Sequence, residues 1–224
     1  MGEQQLNPHW RQVALGGNTG AAERHARSRQ ARLRIMVSAA GLFGEHGYRV
    51  VSFGMIAERA GVPKGSLTSY FPTKLLLARA ITDEMRLRWE EMCSRADDRR
   101  IDPLSTLLAE VDEVIATFPV DPILLGGIRL SEEPEVVPDE ARSHFVFGEA
   151  RARQHLTAVQ EAGLLLPGVD VAVVARLLIA VLTGHGAVTA RHPTQGPTLA
   201  DRMAETWQLI LPSIAVASWR RVRG

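Results

Sequence analysis

Between positions 64 and 70 the chain gathers an ammonium, three hydroxyls and a phenol on Lys64, Ser66, Thr68, Ser69 and Tyr70, while Gly65 leaves the backbone bare. Such donors and acceptors suit base edges and phosphate oxygens in a major groove, which is wide enough to admit one helix. Leu67 and Phe71, spaced by four, anchor that helix inward, so the polar set faces out. Upstream, Met55, Ile56 and Ala60 share one helical face, and Glu58 and Arg59 fall on the other. Gly61 can take positive φ and end the first helix, Val62 fills the angle, and Pro63 fits the first turn of the second helix. Residues 52–71 therefore read as two short helices around a tight turn, the pattern of a helix-turn-helix. The competing reading is an ordinary helical hairpin in an all-α core. A phosphate-binding loop does not fit, because Lys64 precedes Gly65 and the upstream segment is helical.

The charge distribution is uneven. Residues 1–79 hold eleven Lys and Arg against four acids, whereas the remainder holds fifteen against twenty-one. A basic first part on an acidic body is the layout that nucleic-acid binding by one end requires. Arg32, with Arg27, Arg29 and Arg34 beside it, is a candidate phosphate-binding arm, and Ser52 and Lys74 complete the DNA-facing set. The other reading of these arginines is a solvated basic face. A chain of 224 residues, 46% of them hydrophobic, has room for one large or two small helical domains. The longest apolar window, 171–188, is interrupted by Arg176, Gly184, His185 and Gly186, so no membrane span is expected. The first twenty residues lack the pattern of a signal peptide and read as a disordered leader. A single cysteine, Cys93, excludes an internal disulfide and a multi-cysteine metal site, and makes the cytoplasm the default location.

The elements that position these groups are helices throughout. The first spans about Ser28 to His46, with Leu33, Val37, Ala40 and Phe43 as its apolar stripe and Gly47 ending it. Thr73 caps a long helix that carries Met85 and Trp89 and runs toward Ala96. Asp102-Pro103 and Asp121-Pro122 each pair an N-cap with proline at the first helical position, starting helices that end near Phe118 and Leu130. The acidic segment from Ser131 to Pro138 is a loop, and a helix from Asp139 ends at Gly163. Helices over Asp170–Ala190 and Thr198–Val216 follow, joined by a flexible stretch from Arg191 to Pro197. With no alternating strand pattern, about nine helices make an all-α fold.

The last two helices are apolar on more than one face. Val174, Leu178, Val181 and Leu182, with Trp207, Ile210 and Leu211, exceed what one core-facing stripe needs. Burial against a second copy would use the surplus, and a dimer is also what reading two half-sites requires. The other reading is a wholly intramolecular core.

Three clusters carry a family resemblance: Ala39-Ala40, Leu42-Phe43 and His46-Gly47-Tyr48; Ile56-Ala57, Ala60-Gly61-Val62 and Lys64-Gly65-Ser66-Leu67; and Tyr70-Phe71-Pro72-Thr73-Lys74. In these about 50 residues the chain resembles the tetracycline-repressor (TetR) family of transcription regulators. A narrower similarity to the γ-butyrolactone autoregulator receptors runs through Asp121-Pro122-Ile123, Gly127-Ile128-Arg129-Leu130, Glu161-Ala162-Gly163-Leu164-Leu165, Leu182-Thr183-Gly184 and Trp207-Gln208-Leu209-Ile210-Leu211-Pro212. The resemblance implies a leader over 1–26, a helix-turn-helix domain over 27–74, a ligand-binding and dimerisation domain over 75–216 and a basic tail over 217–224. It implies no catalysis, no cofactor and no metal. The partners it implies are double-stranded operator DNA, a small-molecule effector and a second copy of the chain. The sequence departs from relatives at Thr68 and Ser69, where they place aromatics. It departs again early in the helix from Asp139, where they carry a pocket tryptophan and this chain has Phe145 and Phe147.

The function expected is repression by a homodimer on a pseudo-palindromic operator, released by a γ-butyrolactone or an antibiotic-pathway metabolite. Trp89, Phe118, Ile128, Phe145 and Phe147 are the candidate pocket walls, with ordinary core as their other reading. A related regulator that no longer binds lactone and an all-helical enzyme are the rivals. Cys93 has no histidine near it in sequence, and the pairs His144/His155 and His185/His192 match metal spacing poorly, which weighs against the enzyme.

Overall fold

Most helices begin where a side chain can accept the first free backbone N–H. The computed structural model describes residues 8–97, 101–137, 144–191 and 196–221. Among these, nine helices follow in order: α1 (Pro8–His46), α2 (Phe53–Ala60), α3 (Lys64–Tyr70), α4 (Lys74–Asp97), α5 (Pro103–Thr117), α6 (Pro122–Ser131), α7 (His144–Glu161), α8 (Val171–Arg191) and α9 (Leu199–Ile214). Ser52 accepts the Met55 N–H (3.3 Å), Thr73 that of Leu76 (3.1 Å), Asp102 that of Ser105 (3.0 Å) and Asp121 that of Ile123 (2.8 Å). Thr198 and Asp201 form a reciprocal capping box at the head of α9. Each satisfies a donor that the helix itself leaves free.

Two boundaries differ from expectation. Helix α1 begins at Pro8 rather than near Ser28, so residues 8–26 are not an irregular leader. Residues 23–30 are solvent-exposed throughout, so the helix-forming Ala, Glu, Gln and Arg of that stretch, rather than packing, carry it. Pro63 is the N-cap of α3, with extended backbone, and the first helical residue is Lys64. The described part of the basic tail is docked on α5: Trp219 Nε1 donates to Asp102 Oδ1 (2.9 Å) and Arg221 pairs with Asp112. Residues 1–7, the expected helix start at Asp139, positions 192–195 of the linker and residues 222–224 lie outside the described residues.

Two apolar clusters fill the interior. One joins α1, α2, α3, α4 and α6 through Ile35, Phe43, Ile56, Leu67, Leu77, Ile81, Ile123 and Leu124. The other joins α5, α7, α8 and α9 through Leu104, Leu108, Leu156, Ala175, Met203 and Trp207. Leu182 on α8 packs against both. The first cluster crosses position 74 without a break, so the helix-turn-helix sits on α4 and α6 as a continuous body. Helix α6 lies so close to α1 that a Cβ on Gly126 would overlap the Ala40 carbonyl, a contact open to glycine alone. A short antiparallel bridge between Leu165 and Ala215 ties the α7–α8 turn to the end of α9.

Segment Val171–Thr189 of α8 has a mean hydropathy of 1.9 and, contrary to expectation, is long and apolar enough to cross a membrane by length and composition. Arg176 is its single charge, and the glycines and His185 do not lower its hydropathy enough to exclude it. Only 11% of that window is buried within the chain.

Candidate nucleic-acid interface and internal cleft

The turn between α2 and α3 is fixed from both sides. Gly61 takes φ +63°, its N–H donates to Glu58 O (3.1 Å), and Val62 N–H reaches Ala57 O (3.0 Å), which closes α2 in a left-handed cap. Arg59 holds α2 to the end of α1 by two 2.7 Å bonds to the Glu45 carboxylate. Below the turn, Ile56 and Leu67 are fully buried. Helix α3 therefore sits on a rigid base, with Lys64, Gly65, Thr68 and Ser69 exposed and Ser66 and Tyr70 half-buried at its edges.

Hydrogen-bond directions refine what this face offers. Thr68 Oγ1 donates to Gly65 O (2.9 Å) and Ser69 Oγ to Ser66 O (2.7 Å). With each hydrogen turned inward, both hydroxyls present lone pairs outward, which match the amino groups of adenine and cytosine better than phosphate oxygens. Lys64 reaches back over Gly54 at the start of α2. The Arg32 guanidinium lies 5.0 Å from the centroid of the Phe71 ring, so α1 brings its basic stretch beside the end of α3.

Two members of the DNA-facing set have other employment. The Ser52 hydroxyl is the α2 cap. Lys74 is half-buried, donates to Tyr48 O (2.9 Å) and Val51 O (3.0 Å), and stands 4.3 Å above the Tyr48 ring. Two of its three protons close the α1–α2 loop, so Lys74 is a clamp rather than an open phosphate contact. The sequence could not reveal this, because both carbonyls lie more than twenty residues away.

A cleft of about 80 Å³ opens between α4, α7 and the turn after α6. Trp89, Met85, Phe147, Val136, Val137, Ser131 and His144 form its walls, with Arg79, Thr82, Asp83 and Arg86 at α4. Of the residues expected to line a pocket, the structure brings Trp89 and Phe147 together at 5.0 Å between ring centroids. Phe118 supports Trp89 edge-on from behind (5.5 Å), and Ile128 packs half-buried in the first apolar cluster. Phe145 is not a wall: it is 40% exposed and stacks on His144, because one residue along α7 turns it about 100° away from the cleft. The sequence reading missed Ser131 and His144, which lie on either side of a segment read only as a loop.

Burial without a partner charge depresses the His144 pKa to about 4, so the imidazole is neutral. Its Nδ1 meets Ser131 Oγ at 2.7 Å, and Ser131 Oγ also lies 2.7 Å from Ile128 O. His144 Nε2 and Trp89 Nε1 are buried with no hydrogen-bond partner among the described residues. A helical turn beyond Trp89 and Phe147, the buried carboxylate of Glu110 receives His155 Nε2 (2.6 Å), Arg151 Nε (3.2 Å) and the Cys93 thiol (3.2 Å). Burial pushes the Glu110 carboxyl up, but the bond to His155, with the Arg151 guanidinium and the Cys93 thiol beside it, outweighs that and holds the net value below the ordinary one. Burial first, then Glu110, pushes the Cys93 thiol far above its usual range, which leaves it protonated and a poor nucleophile.

Residues 35–81 match the profile of the bacterial regulatory proteins of the tetR family. Over 192 residues the chain is 30% identical to the A-factor receptor protein of Streptomyces griseus, covering 86% of this chain and 66% of that protein. A solved structure of a γ-butyrolactone receptor (ArpA-like protein) superposes with TM-score 0.76 at 26% identity, over 88% of this chain and 94% of that one. CprB of Streptomyces coelicolor, solved in complex with its biological operator sequence, gives TM-score 0.71 at 25% identity, over 86% and 92%. The chain belongs to the TetR family.

In this TetR-family chain the expected dimer residues divide in two. Leu178 and Trp207 are 4% and 7% exposed and belong to the chain's own core, so neither can reach a second copy. Val174, Val181, Leu182, Ile210 and Leu211 pack half-buried against that core. The open apolar residues are instead Val173, Leu177 and Val188 on α8 and Leu209 on α9, the last 78% exposed. Composition marks α8 and α9 as doubly apolar, but helical phase alone does not say which stripe faces inward.

Proposed function

We propose that this TetR-family chain is a homodimeric DNA-binding repressor that a small molecule releases from a pseudo-palindromic operator. The observation that carries the reading is α3: a short helix anchored by buried Leu67, its polar face open, beside a basic α1. Lys64, Gly65, Ser66, Thr68, Ser69 and Tyr70 contact bases and adjacent phosphates, while Arg32 and the neighbouring arginines of α1 hold the backbone. Residues 27–74 act as the DNA-binding part and 75–216 as the ligand-binding and dimerisation part. Cytoplasmic action follows from an operator as target.

The cleft between α4 and α7 takes the effector, a γ-butyrolactone or an antibiotic-pathway metabolite; the relatives described as A-factor and γ-butyrolactone receptors support the lactone class. Helix α6 supplies a route between the two sites. Ser131 at its end borders the cleft, Gly126 lies against Ala40, and Arg129 donates to Gly44 O (3.0 Å) on α1. A ligand that favours one seating of α6 over the other tilts α1 and α4, and with them the spacing of the two reading helices. The exposed stripes of α8 and α9 pair with their copies in the dimer.

A gel shift on DNA from the protein's own upstream region tests the proposal. Wild type binds specifically, with affinity falling steeply as salt rises, by about 10³-fold or more between 50 and 200 mM for six or more phosphate contacts. Lys64→Ala combined with Tyr70→Ala abolishes the specific complex. Specific binding by that variant would refute the assignment of α3, and absence of binding to any duplex would refute the regulator.

A further inference from the structure

The strongest unexplained chemistry in the molecule is the pair of orphaned polar atoms on the cleft walls. Trp89 Nε1 and His144 Nε2 are both buried, both without a partner among the described residues, and both belong to residues lining the same space. A buried polar atom left unsatisfied carries a desolvation penalty that a native core normally avoids, and two on residues lining one cleft mark a place where a partner arrives from outside.

The hydrogen-bond order behind His144 fixes what that partner must offer. Ser131 has one hydroxyl hydrogen. Like the other hydroxyls that bond back to the preceding helical turn, it donates to Ile128 O at 2.7 Å. Its oxygen then accepts, so His144 Nδ1 carries the ring proton and donates to it across 2.7 Å. Nε2 is left as a bare lone pair, an acceptor. Trp89 Nε1 is a donor in every state. Trp89 and His144 thus bring one donor and one acceptor to a lining that also holds the apolar Met85, Val136, Val137 and Phe147, with the charged Arg79, Asp83 and Arg86 exposed on α4.

We propose that Trp89 and His144 are the polar contacts of the effector, which is an uncharged molecule carrying both a carbonyl-type acceptor for Trp89 Nε1 and a hydroxyl or N–H donor for His144 Nε2. This rests on the cleft being the effector site. A carboxylate is rejected, since its charge would give up its water for an apolar lining beside the bare Nε2 lone pair, and a hydroxyl elsewhere on the molecule does not offset that cost. An ester or lactone without a hydroxyl satisfies Trp89 alone. Bound to both, the ligand extends a chain of hydrogen bonds through His144 and Ser131 to the last turn of α6.

Three small probes separate these cases: α-hydroxy-γ-butyrolactone, γ-butyrolactone and 4-hydroxybutyrate. The readout is the indole N–H resonance of Trp89, identified by its loss in Trp89→Phe. The hydroxylated lactone shifts that resonance saturably, γ-butyrolactone binds about tenfold more weakly because one hydrogen bond is missing, and 4-hydroxybutyrate leaves it in place. In His144→Phe, which keeps the volume and removes Nε2, the two lactones bind equally and still move the Trp89 resonance. If that variant does not fold, His144→Asn serves, and its preference for the hydroxylated probe drops likewise. Equal binding of the two lactones by wild type, binding of the carboxylate, or an unmoved resonance with every probe overturns the proposal. The upstream-DNA gel shift of the unliganded wild type reads the regulator separately: DNA binding with an unmoved indole sinks this inference and leaves the repressor standing.

Discussion

Single residues here do two kinds of work that share the same amino-acid types. Lys64 and Lys74 are the only lysines of the chain, yet one is exposed on α3 and the other is clamped to two carbonyls. Lys74→Met should therefore lower the stability of the unliganded protein by about 1–3 kcal/mol, because it strands the Tyr48 and Val51 carbonyls; chemical denaturation measures it. Lys64→Met should leave the denaturation midpoint in place and weaken only the DNA complex. His144 gives a pH dependence of definite sign. Its folded pKa of about 4 lies below the ordinary 6.5, so above 6.5 both states are neutral and its effect is nil. As pH falls from 6.5 toward 4, the unfolded chain takes up a proton that the folded chain refuses, and stability drops by up to about 3 kcal/mol. Over that range the wild-type denaturation midpoint should fall relative to that of His144→Phe as pH falls; parallel curves would contradict the burial of a neutral imidazole. Glu110 was not singled out by sequence, because a glutamate on an apolar helix becomes notable only when Arg151 and His155, more than forty residues away, converge on it. Glu110→Ala removes the buried carboxylate on which Arg151, His155 and the Cys93 thiol converge and should cost about 3–5 kcal/mol in thermal or chemical unfolding.

At the scale of elements, the caps were the legible part. Thr73, Asp102 and Asp121 each start a helix with a side chain whose hydrogen-bonding reach is only two or three residues, so local sequence suffices. The start of α1 was not legible, since an exposed stretch of helix formers carries no apolar stripe to announce it. The seat of α6 was equally hidden. Nothing local explains Gly126 until α1 is seen to pass where a side chain would stand. Gly126→Val should push α6 off α1, destabilising the fold by about 2 kcal/mol or more. Among variants that still fold, it should also uncouple effector from operator, so that the hydroxylated lactone still moves the Trp89 resonance without releasing DNA. Release of DNA at the wild-type ligand concentration would count against α6 as the route.

At the scale of the whole molecule, α8 and α9 leave an apolar surface that the described residues do not cover. Val173, Leu177 and Leu209 are exposed, so Leu177→Glu with Leu209→Glu should yield a folded monomer by light scattering, and with it loss of operator binding, since one reading helix contacts only half a site. Trp207→Ala, by contrast, opens the core and should cost about 3–5 kcal/mol in unfolding without selectively changing the oligomeric state. A dimer persisting in the double glutamate variant would move the interface elsewhere. The sequence by itself determined the all-helical class, the helix-turn-helix over 52–71, the polar face of α3 and the family, because each rests on contacts within a turn or two of helix or on a short ordered pattern. Only the tertiary structure decided which lysine is free, that Phe145 turns away while His144 and Ser131 enter the cleft, and which stripe of α8 is left open. Those depend on side chains far apart in the chain, and on the helical phase that packing selects from two apolar faces of nearly equal composition.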